Sequence, residues 1–240
     1  MAEPWYVRAF GAAYSAVYAH RDDAAAAAEA AFAARVLGAP GARLLDAACG
    51  GGRHARALCA AGAHVVGLDL SADLLRAARA AAGGPHYVRG DLRALPFARA
   101  AFDGVASFFT SFGYFDDAGN ARQLREFRRV LRPAGRLLLD YLNAAHVAAT
   151  LVPRSERQVA GARIVEERAI RGGRVEKRVR IEPEVGRPRT WTESVRLYDG
   201  AALCGVVQEA GFVVRDVRGD LGGGELAAAS PRCVVVAEAA

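Results

Sequence analysis

A run of three glycines between an apolar strand and a helix limits what this chain can fold into. The stretch is Arg43-Leu-Leu-Asp-Ala-Ala-Cys-Gly-Gly-Gly-Arg-His-Ala-Arg-Ala57. Arg43 to Ala47 has the length and apolarity of a buried strand. Gly50, Gly51 and Gly52 let the backbone turn sharply and approach a ligand closely, because no Cβ intervenes. A helix opening near Arg53 aims its free N–H groups at whatever lies over the turn. Strand, glycine turn and helix in that order predict an α/β nucleotide-binding unit. Gly50-x-Gly52-x-x-Ala55 also fits the glycine pattern of dinucleotide-binding loops, so NAD and FAD stay open at this point.

The same residues, Asp46-Ala-Ala-Cys49-Gly50-Gly51-Gly52, resemble the first motif of the class I S-adenosylmethionine (SAM) methyltransferases, Asp-x-x-Cys-Gly-x-Gly. The acid before the glycines separates this reading from a dinucleotide. A carboxylate at Asp46 repels a pyrophosphate, whereas it suits the ammonium and sulfonium of SAM. The resemblance implies cofactor contacts from Asp46, Ala48, Cys49, Gly50 and Gly52.

Later segments extend the resemblance in order. His64-Val-Val-Gly-Leu-Asp69-Leu70 reads as a second buried strand ending in an acid placed to grip ribose hydroxyls, a device NAD enzymes share. Ser71 suits an N-cap for a helix over 72–82. Tyr87-Val-Arg-Gly-Asp91-Leu92 resembles the third methyltransferase motif, in which the acid accepts the adenine amino group and the next residue meets the ring. A turn aspartate bonding its own backbone is the plainer reading of Asp91. Residues 101–109 read as a fourth strand, ending in Phe108 and Phe109. The loop Thr110-Ser-Phe-Gly-Tyr-Phe-Asp-Asp117 lies where ligands bind in open parallel sheets. It resembles the Ser-Phe-Gly-Tyr-Phe loop of one bacterial small-molecule group. Phe108 is thus expected beside the cofactor, and Phe112 and Tyr114 beside the acceptor, as an apolar wall that desolvates the sulfonium. A helix over 120–131 stops at Pro133 and Gly135. The phrase Val130-Leu-Arg-Pro-Ala-Gly-Arg-Leu-Leu-Leu-Asp140 resembles the family's segment after the fourth strand. The fifth strand, 136–143, places Tyr141 and Asn143 at its carboxyl end, Asn143 as a substrate contact or a turn stabiliser.

The ends and the insertion complete the expectation. Residues 5–37 read as two helices, with Tyr6, Phe10, Tyr14, Val17 and Tyr18 at helical spacing. Tyr14…Tyr18-Ala-His-Arg21-Asp22 resembles the same group's leader, which implies that Tyr18 and Arg21 bind SAM, Arg21 through its carboxylate. Unchanged SAM affinity in an Arg21→Ala variant would refute that role. Residues 163–170, 175–181 and 190–198 read as three antiparallel strands, with Gly172-Gly173 as a hairpin turn. Trp191 and Glu193 share a face there, and Trp191 is a substrate candidate. This insertion is a cap over the site, a dimer surface or plain scaffold. A helix over 201–210 and strands 212–218 and 232–238 close the chain, with Asp220 in a glycine-rich connection. The fold expected is α/β: a Rossmann-like seven-stranded sheet with an antiparallel last strand, plus an antiparallel β insertion after the fifth strand. Its parts are a leader, 1–40, over the cofactor site; a SAM-binding core, 41–150 and 199–240; and a cap, 151–198.

Composition narrows the function. Of 32 lysines and arginines only Lys177 is a lysine, and the arginines are spread along the chain. The net charge of +6 therefore reads as compositional bias, not as a nucleic-acid tract. The four cysteines, Cys49, Cys59, Cys204 and Cys233, have neither zinc nor disulfide spacing, so no metal is expected. No membrane-length apolar run or secretory signal stands in the sequence, which predicts a cytoplasmic protein. Phosphate-loop, zinc-protease and serine-hydrolase motifs are absent. No Asn-Pro-Pro-Tyr segment follows the fourth strand, which speaks against amino methylation of bases. The expectation is a SAM-dependent methyltransferase that moves a methyl group to an N, O or C nucleophile of a small molecule and releases S-adenosylhomocysteine (SAH). A homodimer is compatible with it. His54, His146, Tyr141, Glu193 and Asp220 are candidates if a base is needed. The alternatives are an NAD-binding oxidoreductase and a non-catalytic SAM-binding protein.

Overall fold

The computed structural model describes residues 4–10, 23–81, 83–159 and 161–240. Tyr14, Val17, Tyr18, His20 and Arg21 lie outside them. Seven strands form one sheet in the order β10-β11-β5-β4-β1-β2-β3. They are β1 (Arg43–Ala47), β2 (His64–Asp69), β3 (His86–Arg89), β4 (Phe102–Ser107), β5 (Leu131–Leu142), β10 (Phe212–Arg218) and β11 (Arg232–Ala239). All run the same way except β11, which is antiparallel to both β5 and β10. The sheet and its reversed strand match the expectation.

Period-two alternation assigns the apolar residues to two faces. Leu45, Val105, Leu137, Leu139 and Val235 pack on one face with Leu124 and Phe127 of α5 (Asp117–Val130) and Leu203 of α7 (Gly200–Glu209). Leu44, Ala106, Leu138 and Val234 pack on the other. There they meet α2 (Asp23–Leu37) and α3 (Arg53–Ala60), through small residues such as Ala30, Ala33 and Ala55. Helix α2 is thus a layer of the core, and within the described part of the leader α1 (Trp5–Ala9) is the element at the site. Helix α4 (Ala72–Ala80) starts at Ser71, whose hydroxyl accepts the Leu74 N–H at 3.3 Å.

The insertion differs from expectation in one strand. It is a four-stranded antiparallel sheet, β6 (Arg154–Val159), β7 (Ala162–Arg171), β8 (Arg174–Pro183) and β9 (Arg189–Arg196). Strand β6 is hard to read because Arg154-Ser-Glu-Arg-Gln-Val has little apolar alternation. It is an edge strand held to β7 by the ladder and by pairs such as Arg154–Glu167 at 3.1 Å and Arg163–Glu156 at 2.6 Å. The inner face packs Ile164, Val179, Ile181 and Trp191 against Ala9, Trp5 and Phe10 from α1. A short helix, α6 (Ala144–Thr150), joins β5 to the insertion. Among the described residues no helix is long and apolar enough to cross a membrane.

Candidate active site

A cavity of about 660 Å³ opens at the carboxyl ends of β1, β2, β3 and β4. The parallel register brings the last residues of those strands to one edge, the usual ligand crevice of such sheets. Asp46, Ala48, Cys49, Gly50, Asp69, Leu70, Asp91, Leu92 and Phe108 all line it, as does Tyr114. Gly52 lies just behind, as the left-handed N-cap of α3 with φ 76°. A Cβ at Gly52 would run into the Tyr87 phenol beneath the loop, so the glycine is required twice over.

The carboxylates have distinct environments. Asp69 accepts the Gly50 N–H at 2.9 Å and the Ser71 N–H at 2.8 Å, one on each oxygen. It thereby locks the glycine loop to the end of β2 and keeps lone pairs free for a diol. Burial raises its pKa, against the pull of those N–H groups. Asp91 is held by Arg93, with Nη2 to Oδ2 at 2.7 Å and Nε to Oδ1 at 3.0 Å, which lowers its pKa. Asp46 is almost fully buried, and its Oδ2 has no hydrogen-bond partner among the described residues. Burial pushes its pKa up to about 6, against the opposing pull of His54. A buried carboxylate oxygen unpaired among the described residues, on a side chain that lines a cavity, is costly unless a ligand satisfies it. An ammonium does so; a phosphate does not.

The opposite wall is aromatic. Tyr6 from α1 and Phe10 just after it, and Phe109, Tyr114 and Phe115 after β4, line the cavity. Phe10 stacks on Tyr114 at 5.7 Å and Trp5 meets the same ring edge-on at 4.9 Å. The helical spacing of Tyr6 and Phe10 was visible, but spacing reports a shared face and not what that face meets. Arg53 and Arg89, which carried no distinguishing signal, also line the cavity, as does Ser111 of the loop after β4.

Other candidates move elsewhere. Phe112 is fully buried in the core against Tyr141 and Tyr198, at 6.1 Å and 5.8 Å between ring centroids, and does not line the cavity. Tyr141 is equally buried, its hydroxyl donating to the Arg196 carbonyl, and burial pushes its pKa up. Asn143 is a turn and helix cap, accepting the Ala145 N–H at 3.1 Å and donating to the Ser230 carbonyl at 2.8 Å. Trp191 belongs to the insertion's own core and donates to Glu193 at 3.1 Å, while Glu193 pairs with Lys177 at 2.8 Å. Asp220 caps its own glycine turn through the Gly222 and Gly224 N–H groups, which lower its pKa. Among the five base candidates only His54 faces the cavity. Glu29 holds its Nε2 at 2.7 Å and its ring stacks on Phe108 at 4.0 Å. Among the described residues no three His, Cys, Asp or Glu side chains gather as a metal site.

Sheet order and reversed β11 define a Rossmann-like α/β fold with an acid-lined cavity at the carboxyl edge of its parallel strands. Residues 44–135 match the family model described as a methyltransferase domain. Over 94 residues the chain is 43% identical to malonyl-[acyl-carrier protein] O-methyltransferase of Pseudescherichia vulneris, covering 39% of this chain and 36% of that enzyme. The chain thus spans less than half the length of the curated relatives it matches, from 36% to 48%. Two solved structures share the fold along the full length of both chains. The CcbJ methyltransferase from Streptomyces caelestis superposes with a TM-score of 0.82 at 21% identity. SAM-bound CalS10, an amino pentose methyltransferase from Micromonospora echinaspora, does so with 0.70 at 23%.

Proposed function

We propose that this protein is a SAM-dependent methyltransferase acting on a small molecule. One observation carries the reading: the orphaned Asp46 Oδ2, buried in the same cavity as Asp69 and Asp91. The donor set fits SAM. Asp46 would take the ammonium, Asp69 the ribose hydroxyls, Asp91 and Leu92 the adenine, and Gly50 would leave room for the tail. When bound, SAM supplies a methyl group already activated by its sulfonium, open to in-line displacement by an N, O or C nucleophile. The chain's own contribution is alignment and dryness. Phe108, held by His54, and Phe109 wall the cavity and exclude water. His54 sits beside Asp46, at the amino-acid end of the pocket, which argues for a part in cofactor binding over one as base.

The curated relatives match 39% to 51% of this chain, so their acceptors do not transfer. The full-length fold likeness, which includes an enzyme acting on an amino pentose, supports a small acceptor. Calorimetry with SAH and NAD, followed by methyl-labelled SAM with a metabolite extract, tests the reading. NAD binding that SAH fails to displace would overturn it.

A pH dependence follows from Asp46. Its ionised form pairs with the ammonium, so SAH affinity should be level above about pH 6 and fall below it. The limiting slope is about tenfold per pH unit for a single group. Calorimetry between pH 5 and 8 checks this, and a flat profile would remove Asp46 from the pocket's electrostatics.

A further inference from the structure

The loop that carries Tyr114 and Phe115 into the cavity is held from outside the core domain. Gly172 and Gly173 both have positive φ, 54° and 68°, and close a two-residue hairpin between β7 and β8. The next residue, Arg174, reaches across to the loop. Its Nη1 donates to the Phe115 carbonyl at 3.0 Å, and its Nη2 to the Gly113 carbonyl at 3.0 Å and the Tyr114 carbonyl at 3.2 Å. Ser194 of β9 orients the guanidinium, accepting from Nε at its hydroxyl, 2.8 Å, and from Nη2 at its carbonyl, 3.0 Å. Three successive loop carbonyls are thus gripped by one planar fork, a geometry a lysine cannot copy.

A second fastening lies beside the first. The Arg196 N–H donates to the Gly113 carbonyl at 2.8 Å. Gly113 has φ 91°, and a Cβ there would stand 3.1 Å from Val195 Cγ1 and 3.3 Å from the Arg196 carbonyl. The glycine lets loop and strand β9 meet backbone to backbone. The Arg196 guanidinium also holds Asp117, at the start of α5, at 3.1 Å. Arg174 itself does not line the cavity.

We infer that Arg174 is a positioning residue for the acceptor side of the cavity. It sets the place of the Tyr114 ring, and so which acceptor fits, without touching the cofactor. The insertion is then a fixed wall bolted to the loop after β4, not a flap. This rests on the methyltransferase reading above, and the test separates the two.

The Arg174→Gln variant is compared with wild type using SAH in the calorimeter, and methyl-labelled SAM with a dilution series of a metabolite extract. The expected result is an SAH dissociation constant within twofold of wild type and a half-saturating amount of extract raised at least tenfold. An unchanged half-saturating amount, or SAH binding lost in the same proportion, would overturn the proposal. If Arg174→Gln does not fold, Arg174→Lys, which keeps the charge but not the fork, takes its place with the same expectation. Wild type that binds no SAH would sink the methyltransferase reading instead. In that case, or if the extract holds no acceptor, Trp5 decides. Its ring touches Tyr114, and Trp191→Phe leaves it as the sole tryptophan. In that background a red-shifted, more quenchable Trp5 emission in the Arg174 variant supports the clamp, and an unchanged emission refutes it.

Discussion

Replacing Asp46 with asparagine is expected to weaken SAH binding by roughly 10- to 100-fold while making the unliganded protein more stable. Both effects have one origin. In the unliganded fold Asp46 has a pKa raised from 3.8 to about 6 by burial. Its folded state therefore holds a proton more tightly than its unfolded state between those values. Stability is greatest below the unfolded pKa and is lost as pH rises through the folded one. At pH 7 the ionised side chain costs roughly 2–3 kcal/mol of stability. Asparagine removes that cost, though its amide is also buried, so the expected rise in Tm is roughly 3–6 °C. Under the proposed reading the ionised carboxylate pairs with the ligand's ammonium, and the variant loses that pair. The affinity should also lose its dependence on pH near 6. A scanning calorimeter measures the first effect and titration the second. An Asp46→Asn protein that bound SAH normally would break the link between the orphaned oxygen and the ligand.

A second large effect is expected at Asp140 and Arg232, which hold the turn after β4 in an unusual backbone shape. Phe109 and Thr110 have φ values of 52° and 59°, and neither is glycine. Such positions persist only when their surroundings over-determine them. Asp140, fully buried on β5, accepts the Phe109 N–H at 2.7 Å, and its carbonyl accepts the Thr110 N–H at 3.0 Å. Arg232, on the antiparallel strand β11, pairs with Asp140 at 2.6 Å and donates to Thr110 Oγ1 at 3.1 Å. Removing Arg232 leaves a buried carboxylate without its counter-ion. Arg232→Ala should cost about 3–5 kcal/mol, a fall in Tm of roughly 6–15 °C. Because Phe109 lines the cavity, turnover should suffer beyond the loss of stability. The double replacement Asp140→Leu with Arg232→Met should recover part of the stability, with a coupling of at least about 1 kcal/mol between the sites. Strictly additive losses would show that the pair does not hold the turn as a unit.

How far the site could be read in advance depended on how local its causes are. The glycine turn, the Ser71 cap and the acids Asp46, Asp69 and Asp91 were readable because each sits at or just beyond the end of one parallel strand. A parallel sheet must then bring their strand ends to one edge, so local reading sufficed to gather these residues at one cavity. In the loop after β4 local reading gave a cluster of aromatics but not its sorting. Phe112 turns into the core against Tyr141 and Tyr198, while Tyr114 two residues later faces the cavity. That sorting follows from the left-handed turn at Phe109–Thr110 and from the pinch at Gly113. Both are imposed by partners on β5, β8, β9 and β11.

The insertion shows the same boundary. Alternation revealed strands β7, β8 and β9, and the paired glycines revealed their hairpin. It missed β6, whose polar residues gain a strand's shape from the neighbour they pair with. Nor could it show that Trp191 and Glu193 serve the insertion's own packing and charge balance. From its sequence alone this protein had a nucleotide-binding turn and acids at its strand ends, because these follow from spacing within single units, while the reversed last strand and the suitability of the acids for a cationic adenosyl ligand were what the methyltransferase resemblance implied. Only the tertiary structure decided what walls the acceptor side. Those contacts join residues such as Gly113 and Arg174, or Asp140 and Arg232, that are distant in the chain, and no periodicity records which distant residues will meet.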